Sequence, residues 1–302
     1  MIAGKSPPVW RSLLYVPVNR PKFVDGAHSR GADAIILDLE DSVPESEKER
    51  ARELLPEAAR KVRRGGADVL VRINRPLEQT IADLQAAAIP EINGIMVTKV
   101  QSADHVRLLD EFVSRLEAQR GLRPGHIQFE LMIETPEAFF RMPEIARAAE
   151  RVVAMSIGGE DFSLACGWTP SEETLLHPKQ QMIMAASAAG IMPLGYLASV
   201  ADFGDLDKFR EMVIRSRHFG FQGAACIHPA QVPIVNEAYT PGPEELAYAR
   251  RVVSEDAAAQ AAGRGSFAID GKMIDKPVVI RALRLLDRHA AIERRAARKA
   301  DQ

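Results

Sequence analysis

Short apolar runs alternate with amphipathic segments along most of the chain. Ser12–Pro17 (SLLYVP), Ala34–Glu40 (AIILDLE), Asp68–Asn74 (DVLVRIN) and Gly94–Val100 (GIMVTKV) have the length and apolar content of buried strands. Ile127–Ile133, Arg151–Ile157, Pro193–Ser199 and Phe221–His228 repeat the pattern. Helical spacing fills the gaps. One helix opens at Asn19-Arg20-Pro21 and ends near Gly31; others cover Glu45–Arg64, Thr80–Ala88 and Ser102–Arg120, with Ser102 as N-cap. Pro136–Ala149, Glu172–Ala189, Asp205–Phe219 and a helix from Pro229 complete the series, with Gly190 and Gly220 as stops. Eight strand-then-helix units in about 230 residues predict a (β/α)8 barrel, an α/β TIM barrel. A doubly wound open sheet is the rival, but the Gly-rich turn that usually follows its first strand is missing.

Pro241-Gly242-Pro243 then breaks the pattern, which sets a barrel domain at 1–240 and a C-terminal extension at 241–302. The extension reads as an alanine-rich helix, Glu244–Ala262, and a break at Gly263-Arg264-Gly265. A small hairpin or loop follows at Ser266–Lys276, then a helix from Pro277 with a basic face, which reads as a solvated surface.

Composition adds exclusions. A formal net charge of −2 gives no footing for a nucleic-acid partner. No apolar run reaches membrane-spanning length, and the first residues show no hydrophobic signal core. Cys166 and Cys226 lie far apart without metal-ligand spacing, so a reducing, cytoplasmic setting is expected.

Parallel strands joined by helices bring their C-terminal ends to one face, and barrel active sites sit there. The ends collect Asp38, Glu40 and Asp41; Arg72 and Asn74; Lys99; Glu134; Asp161; Ser199; and His228. So many charges are costly to bury unless they pair or hold a metal. Glu134 and Asp161 end consecutive strands, and Gly158-Gly159 allows close backbone approach; the pair suits Mg2+ or Mn2+, hard cations with oxygen ligands. The bland alternative for either acid is a helix N-cap. Arg72 beside a metal makes a cradle for a 2-oxo acid. Lys99 also admits a Schiff-base reading, and His228 admits a purely structural one.

The ordered set RSLLYVP, DAIILDLEDSV, VRIN, VTKV, ELMIETPEA, IGGEDFS, ADFGD and IHPAQV resembles the citrate lyase β-subunit-like family of CoA ester lyases, from about Arg11 to Pro243. The resemblance implies a TIM barrel, Mg2+ dependence, an acyl-CoA thioester substrate and a homo-oligomer, trimer or hexamer. It makes Glu134 and Asp161 the metal ligands and Arg72 the substrate-binding arginine. Arg11, Asp38, Glu40, Asp41, Asn74 and Lys99 are expected to line the substrate or the layer behind it. GRGSFAIDGKMIDKP is similar to the extension of malyl-CoA and citramalyl-CoA lyases; by that likeness Asp275 reaches a neighbouring subunit's site and moves the substrate proton. Without it, Asp275 reads as a turn or cap residue. Two departures stand out: Thr98-Lys99 where the family often has Pro-Lys, and Gly223-Ala224 where it often has Gly-Lys.

The expected activity is retro-Claisen cleavage of malyl-CoA or citramalyl-CoA to an acyl-CoA and glyoxylate or pyruvate. The alternatives are malyl-CoA thioester hydrolysis, citryl-CoA cleavage, a metal-dependent aldolase of free 2-oxo acids, and a catalytically silent binding barrel.

Overall fold

The computed structural model describes residues 8–198, 205–263 and 265–300. The chain divides into two compact units, Met1–Tyr239 and Thr240–Gln302. The first unit begins β1 (Ser12–Pro17), α1 (Pro21–Ala27), β2 (Ala34–Asp38), α2 (Lys48–Arg63), β3 (Asp68–Ile73), α3 (Leu77–Ala87), β4 (Gly94–Val97) and α4 (Ala103–Gln119). It continues with β5 (Gln128–Ile133), α5 (Pro136–Phe139), α6 (Met142–Ile145), β6 (Val152–Ile157), α7 (Gly159–Cys166) and α8 (Glu172–Ala189). β7 (Met192–Leu194), α9 (Leu206–Phe219), β8 (Ala224–Cys226) and α10 (Gln231–Ala238) complete it.

Each strand pairs in parallel with its sequence neighbour, and β1 also pairs with β8. The β7/β8 seam closes through one bridge, Leu194 to Gly223, where the Gly195 N–H donates to the Gly223 carbonyl at 2.9 Å. On its other side Gly223 lets β8 approach the start of β1, since a Cβ there would lie 1.8 Å from the Trp10 carbonyl oxygen. The result is the (β/α)8 barrel expected from the pattern.

Period-two alternation sets two apolar layers. Leu14, Ile35, Leu37, Val69, Val71, Ile95, Val97, Phe129 and Leu131 face outward into the layer under the helices. Leu13, Ala34, Ile36, Leu70, Met96, Met132 and Ala154 fill the barrel interior. The inward rows pass from apolar residues onto a charge: Ala34, Ile36, Asp38; then Leu70, Arg72; then Met132, Glu134.

Several boundaries differ from the sequence reading: β4 ends at Val97, β7 is Met192–Leu194, α1 ends at Ala27 and α3 starts at Leu77. The Pro136–Ala149 helix is two single turns, α5 and α6, because Pro143 has no N–H to continue the ladder and starts a fresh turn near its own N-terminus. Strand β2 stops at Asp38, where the Glu40 and Ser42 N–H groups turn back onto the Asp38 carboxylate. Strand β8 is shorter than Phe221–His228. Ser199 and most of the ADFGD motif lie outside the described residues. Among the described residues no helix is long and apolar enough to cross a membrane.

The second unit holds α11 (Pro243–Ala261), the antiparallel hairpin β9 (Phe267–Ile269) and β10 (Lys272–Ile274), and α12 (Lys276–Ala300). Ala249 and Val252 of α11, Ile269 and Ile274 of the hairpin, and Val279 and Ala282 of α12 form its own apolar cluster.

Candidate active site

Arg72 is the hub of the polar ring. It faces Asp38 through two bonds, Nε to Oδ1 at 2.7 Å and Nη2 to Oδ2 at 2.6 Å. Nη1 reaches Glu40 at 2.9 Å and Asp41 at 3.3 Å. The guanidinium carbon sits 4.8 Å from the centre of the Tyr15 ring, a cation–π contact that fixes its plane. Burial works against ionisation of Asp38, but Arg72 and Ser42 hold its carboxyl below the usual range. Burial pushes Glu40 up, with Arg72 and Lys99 opposing.

Lys99 links the ring to the carboxylate pair. Its backbone has φ of 48°, a left-handed conformation uncommon for a residue with a side chain. That turn aims the Lys99 N–H at Glu134 Oε2, while Nζ lies 2.7 Å from Glu40 and 3.6 Å from Asp161. Burial disfavours its charge, yet Glu40, Glu134 and Asp161 together raise its pKa. A Schiff-base amine must be neutral, so this geometry opposes that reading of Lys99.

Glu134 follows β5 and is almost fully buried. It is not the helix cap: Thr135 takes that role, accepting the Ala138 N–H at 3.3 Å. Asp161 stands in the first turn of α7, a short helix the sequence reading did not resolve. Burial pushes Glu134 up to about 8; Asp161 adds to the rise and Lys99 opposes it. Two acids in that position are stabilised by a shared cation.

The donor set fits a hard divalent ion. Both donors are carboxylate oxygens, and Mg2+ is commonly held by one or two carboxylates while other oxygens complete its octahedron. Among the described residues no group of three or more His, Cys, Asp or Glu could hold a metal unaided, which is compatible with a two-carboxylate site. Gly158 leaves the space: a Cβ there would lie 2.6 Å from Glu134 Cγ and 2.7 Å from Oε1. Its φ of −73° is open to any residue, so Gly158→Ala tests crowding and not strain. A displacement of this size is expected to cost about 100-fold in kcat/KM with little loss of fold; steady-state rates beside a thermal melt check it.

The other expected site residues divide. Asp38, Glu40, Asp41, Arg72, Lys99, Glu134 and Asp161 come together. Asn74 is buried behind them, donating to the Leu39 carbonyl at 2.9 Å and to Asp83 at 2.8 Å, and so braces the β2 loop. Arg11 does not join the ring. It precedes β1, at the N-terminal end of the barrel, and pairs with Asp33 at 2.7 Å. His228 is exposed, past β8. Asp275, in the second unit, follows β10; its carbonyl accepts the Val278 and Val279 N–H groups at 3.0 and 3.2 Å, so it starts α12.

Sequence reasoning missed Tyr15, Glu130 and Lys179. Tyr15 and Glu130 lie on the inward rows of β1 and β5, so period-two counting from Leu13 and Glu134 reaches both. Burial holds Glu130 up at about 7, with Ser156 opposing. Lys179 is set by the packing of α8, and its Nζ donates to the Leu197 and Ala198 carbonyls at 3.2 and 2.8 Å. Burial draws its pKa down to about 8.

A parallel (β/α)8 barrel with an arginine-centred acid ring and a carboxylate pair at its strand ends has the architecture of a TIM-barrel enzyme. The family model described as HpcH/HpaI aldolase/citrate lyase matches residues 11–229. The chain belongs to that family of carbon–carbon lyases. It is 31% identical to the citrate lyase subunit beta of Leuconostoc mesenteroides subsp. cremoris, over 91% of this chain and 92% of that protein. It is 32% identical to the L-malyl-CoA/beta-methylmalyl-CoA lyase of Cereibacter sphaeroides, over 88% of this chain and 90% of that protein. The Mycobacterium tuberculosis CitE protein, solved in complex with magnesium, acetoacetate and coenzyme A, superposes with a TM-score of 0.72 at 30% identity. That match covers 92% of this chain and 97% of the other.

Proposed function

We propose that this protein is a Mg2+-dependent CoA ester lyase that cleaves malyl-CoA or citramalyl-CoA to an acyl-CoA and glyoxylate or pyruvate. The observation that carries the reading is the Glu134 and Asp161 pair beside Arg72 at the strand ends. The named lyase relatives and the magnesium and coenzyme A complex of the CitE protein support it.

Glu134 and Asp161 are the residues that would hold Mg2+, which would supply Lewis-acid polarisation and positive charge to the reacting oxygens. Arg72 keeps its guanidinium plane fixed on Asp38 and Tyr15, and at Nη1 the substrate carboxylate takes the place of the exposed Asp41 carboxylate. Lys99 holds Glu134 in place by its N–H and Glu40 by its Nζ. In the reaction the substrate hydroxyl gives its proton to solvent water, its oxygen forms the carbonyl of the 2-oxo acid as the C–C bond breaks, and the electron pair of that bond passes to the thioester as an enolate. Asp275 of a second copy donates the proton that ends the enolate. Exclusion of water there prevents stray protonation. The assembly proposed is a trimer or hexamer working in the cytoplasm.

The test is cleavage of malyl-CoA and citramalyl-CoA with Mg2+ and with excess EDTA, trapping the 2-oxo acid. Expected is Mg2+-dependent release of glyoxylate or pyruvate, lost in Asp275→Ala although the 2-oxo acid still binds. Coenzyme A released without a 2-oxo acid would instead identify thioester hydrolysis.

A further inference from the structure

Glu130 projects into the barrel from β5, on the same inward row as Glu134 and two steps deeper, with Met132 between them. It is fully buried. Its Oε1 accepts from Ser156 Oγ at 2.5 Å, while Oε2 has no hydrogen-bond partner among the described residues. The carboxyl borders a cavity of about 130 Å³, walled by Tyr15, Met96, Met132 and Ser156 and reaching Gly158. Gly158 also lies against Glu134. A substituent on an acid held at Glu134 and Asp161 would enter past Gly158, and the cavity has room for one carbon and its hydroxyl.

Oε2 needs a partner in either protonation state: ionised it accepts, neutral it donates. A hydroxyl does both and a methyl does neither. A carboxylate would place a second negative group beside a buried acid, which is costly. The nearby Lys179 Nζ is already directed at two backbone carbonyls.

We propose that this cavity is the side-chain subsite for the 2-oxo acid, and that Glu130 and Ser156 select a hydroxyl-bearing substituent over a methyl or a carboxylate. The inference rests on the reading that a 2-oxo acid binds at Glu134 and Asp161, and it narrows that acid: a hydroxymethyl substituent is preferred to the methyl of pyruvate or the hydrogen of glyoxylate. It separates this chain from one that releases a dicarboxylic 2-oxo acid.

Calorimetric titration of the intact protein in saturating Mg2+ with pyruvate, hydroxypyruvate and oxaloacetate tests it. Hydroxypyruvate is expected to bind about tenfold more tightly than pyruvate, and oxaloacetate about tenfold or more weakly. In Glu130→Leu the hydroxypyruvate advantage disappears while pyruvate binding stays; Glu130→Gln, which keeps a hydrogen-bonding group, retains the advantage. Equal wild-type affinities for pyruvate and hydroxypyruvate overturn the subsite alone, and that comparison needs no variant to fold. An advantage that survives in folded Glu130→Leu overturns it too. No binding by any of the three removes the subsite together with the 2-oxo acid reading.

Discussion

Glu134→Gln is expected to lower Mg2+-dependent cleavage by about 10³-fold or more while leaving the melting temperature nearly unchanged. The substitution keeps the shape of the side chain. Its carbonyl oxygen still accepts the Lys99 N–H, and Gly158 still leaves room for it. What disappears is the negative charge that a divalent cation needs. Burial already penalises that charge and pushes the carboxyl to about 8, so removing it relieves the apoprotein. The expected signature is thus asymmetric: lower activity, weaker metal binding, and equal or higher stability. Asp161→Asn is expected to lower activity and metal binding in the same way with little change in stability, since that side chain is 39% exposed. A Mn2+ titration followed by electron paramagnetic resonance, run beside the cleavage assay, measures both. Wild-type cation affinity in Glu134→Gln would sink the assignment of this residue as a ligand.

The parts of the fold that follow from local pattern were readable in the sequence. Ser12–Pro17 and Glu172–Ala189 have the bounds that alternation and capping predict. Ser102 caps α4 by accepting the His105 N–H, as its position suggests. The same counting put acids and Arg72 at strand ends, because in a parallel barrel an inward apolar row must stop where water begins. Local pattern cannot carry what depends on distant partners. The Lys99 turn is stabilised by Glu134 and Glu40, which lie 35 and 59 residues away in sequence. Asn74 stands behind the ring, but that its amide goes to Leu39 and Asp83 depends on where those elements pack. Arg11 shares a motif with β1 but sits one residue before the strand, at the end of the barrel opposite the acids. A motif places a residue in sequence; the barrel end on which it falls is decided by the direction of the strand.

Arg72→Ala is expected to damage both activity and stability, which distinguishes it from the metal-ligand variants. Asp38 is 1% exposed and receives two hydrogen bonds from Arg72. Removing the guanidinium leaves that carboxylate buried with Ser42 and the Glu40 N–H as its remaining donors. Breaking a buried ion pair on one side costs about 3–5 kcal/mol. Glu40 keeps Lys99, but it loses Nη1, and burial already pushes it toward the neutral form. Asp41, 63% exposed, contributes little to this balance because water screens it. Arg72→Lys restores one charge without the planar fork, so it cannot hold both Asp38 oxygens and reach Glu40 at once. It should recover much of the stability and little of the turnover, leaving kcat/KM about 10²-fold to 10³-fold below wild type. Urea denaturation and steady-state kinetics on the two variants read the two quantities separately. Double replacement with Asp38→Asn supplies the decisive comparison. If Arg72 acts only as a brace for Asp38, the pair of changes restores stability and activity together. If its Nη1 holds the substrate carboxylate, stability returns and activity does not.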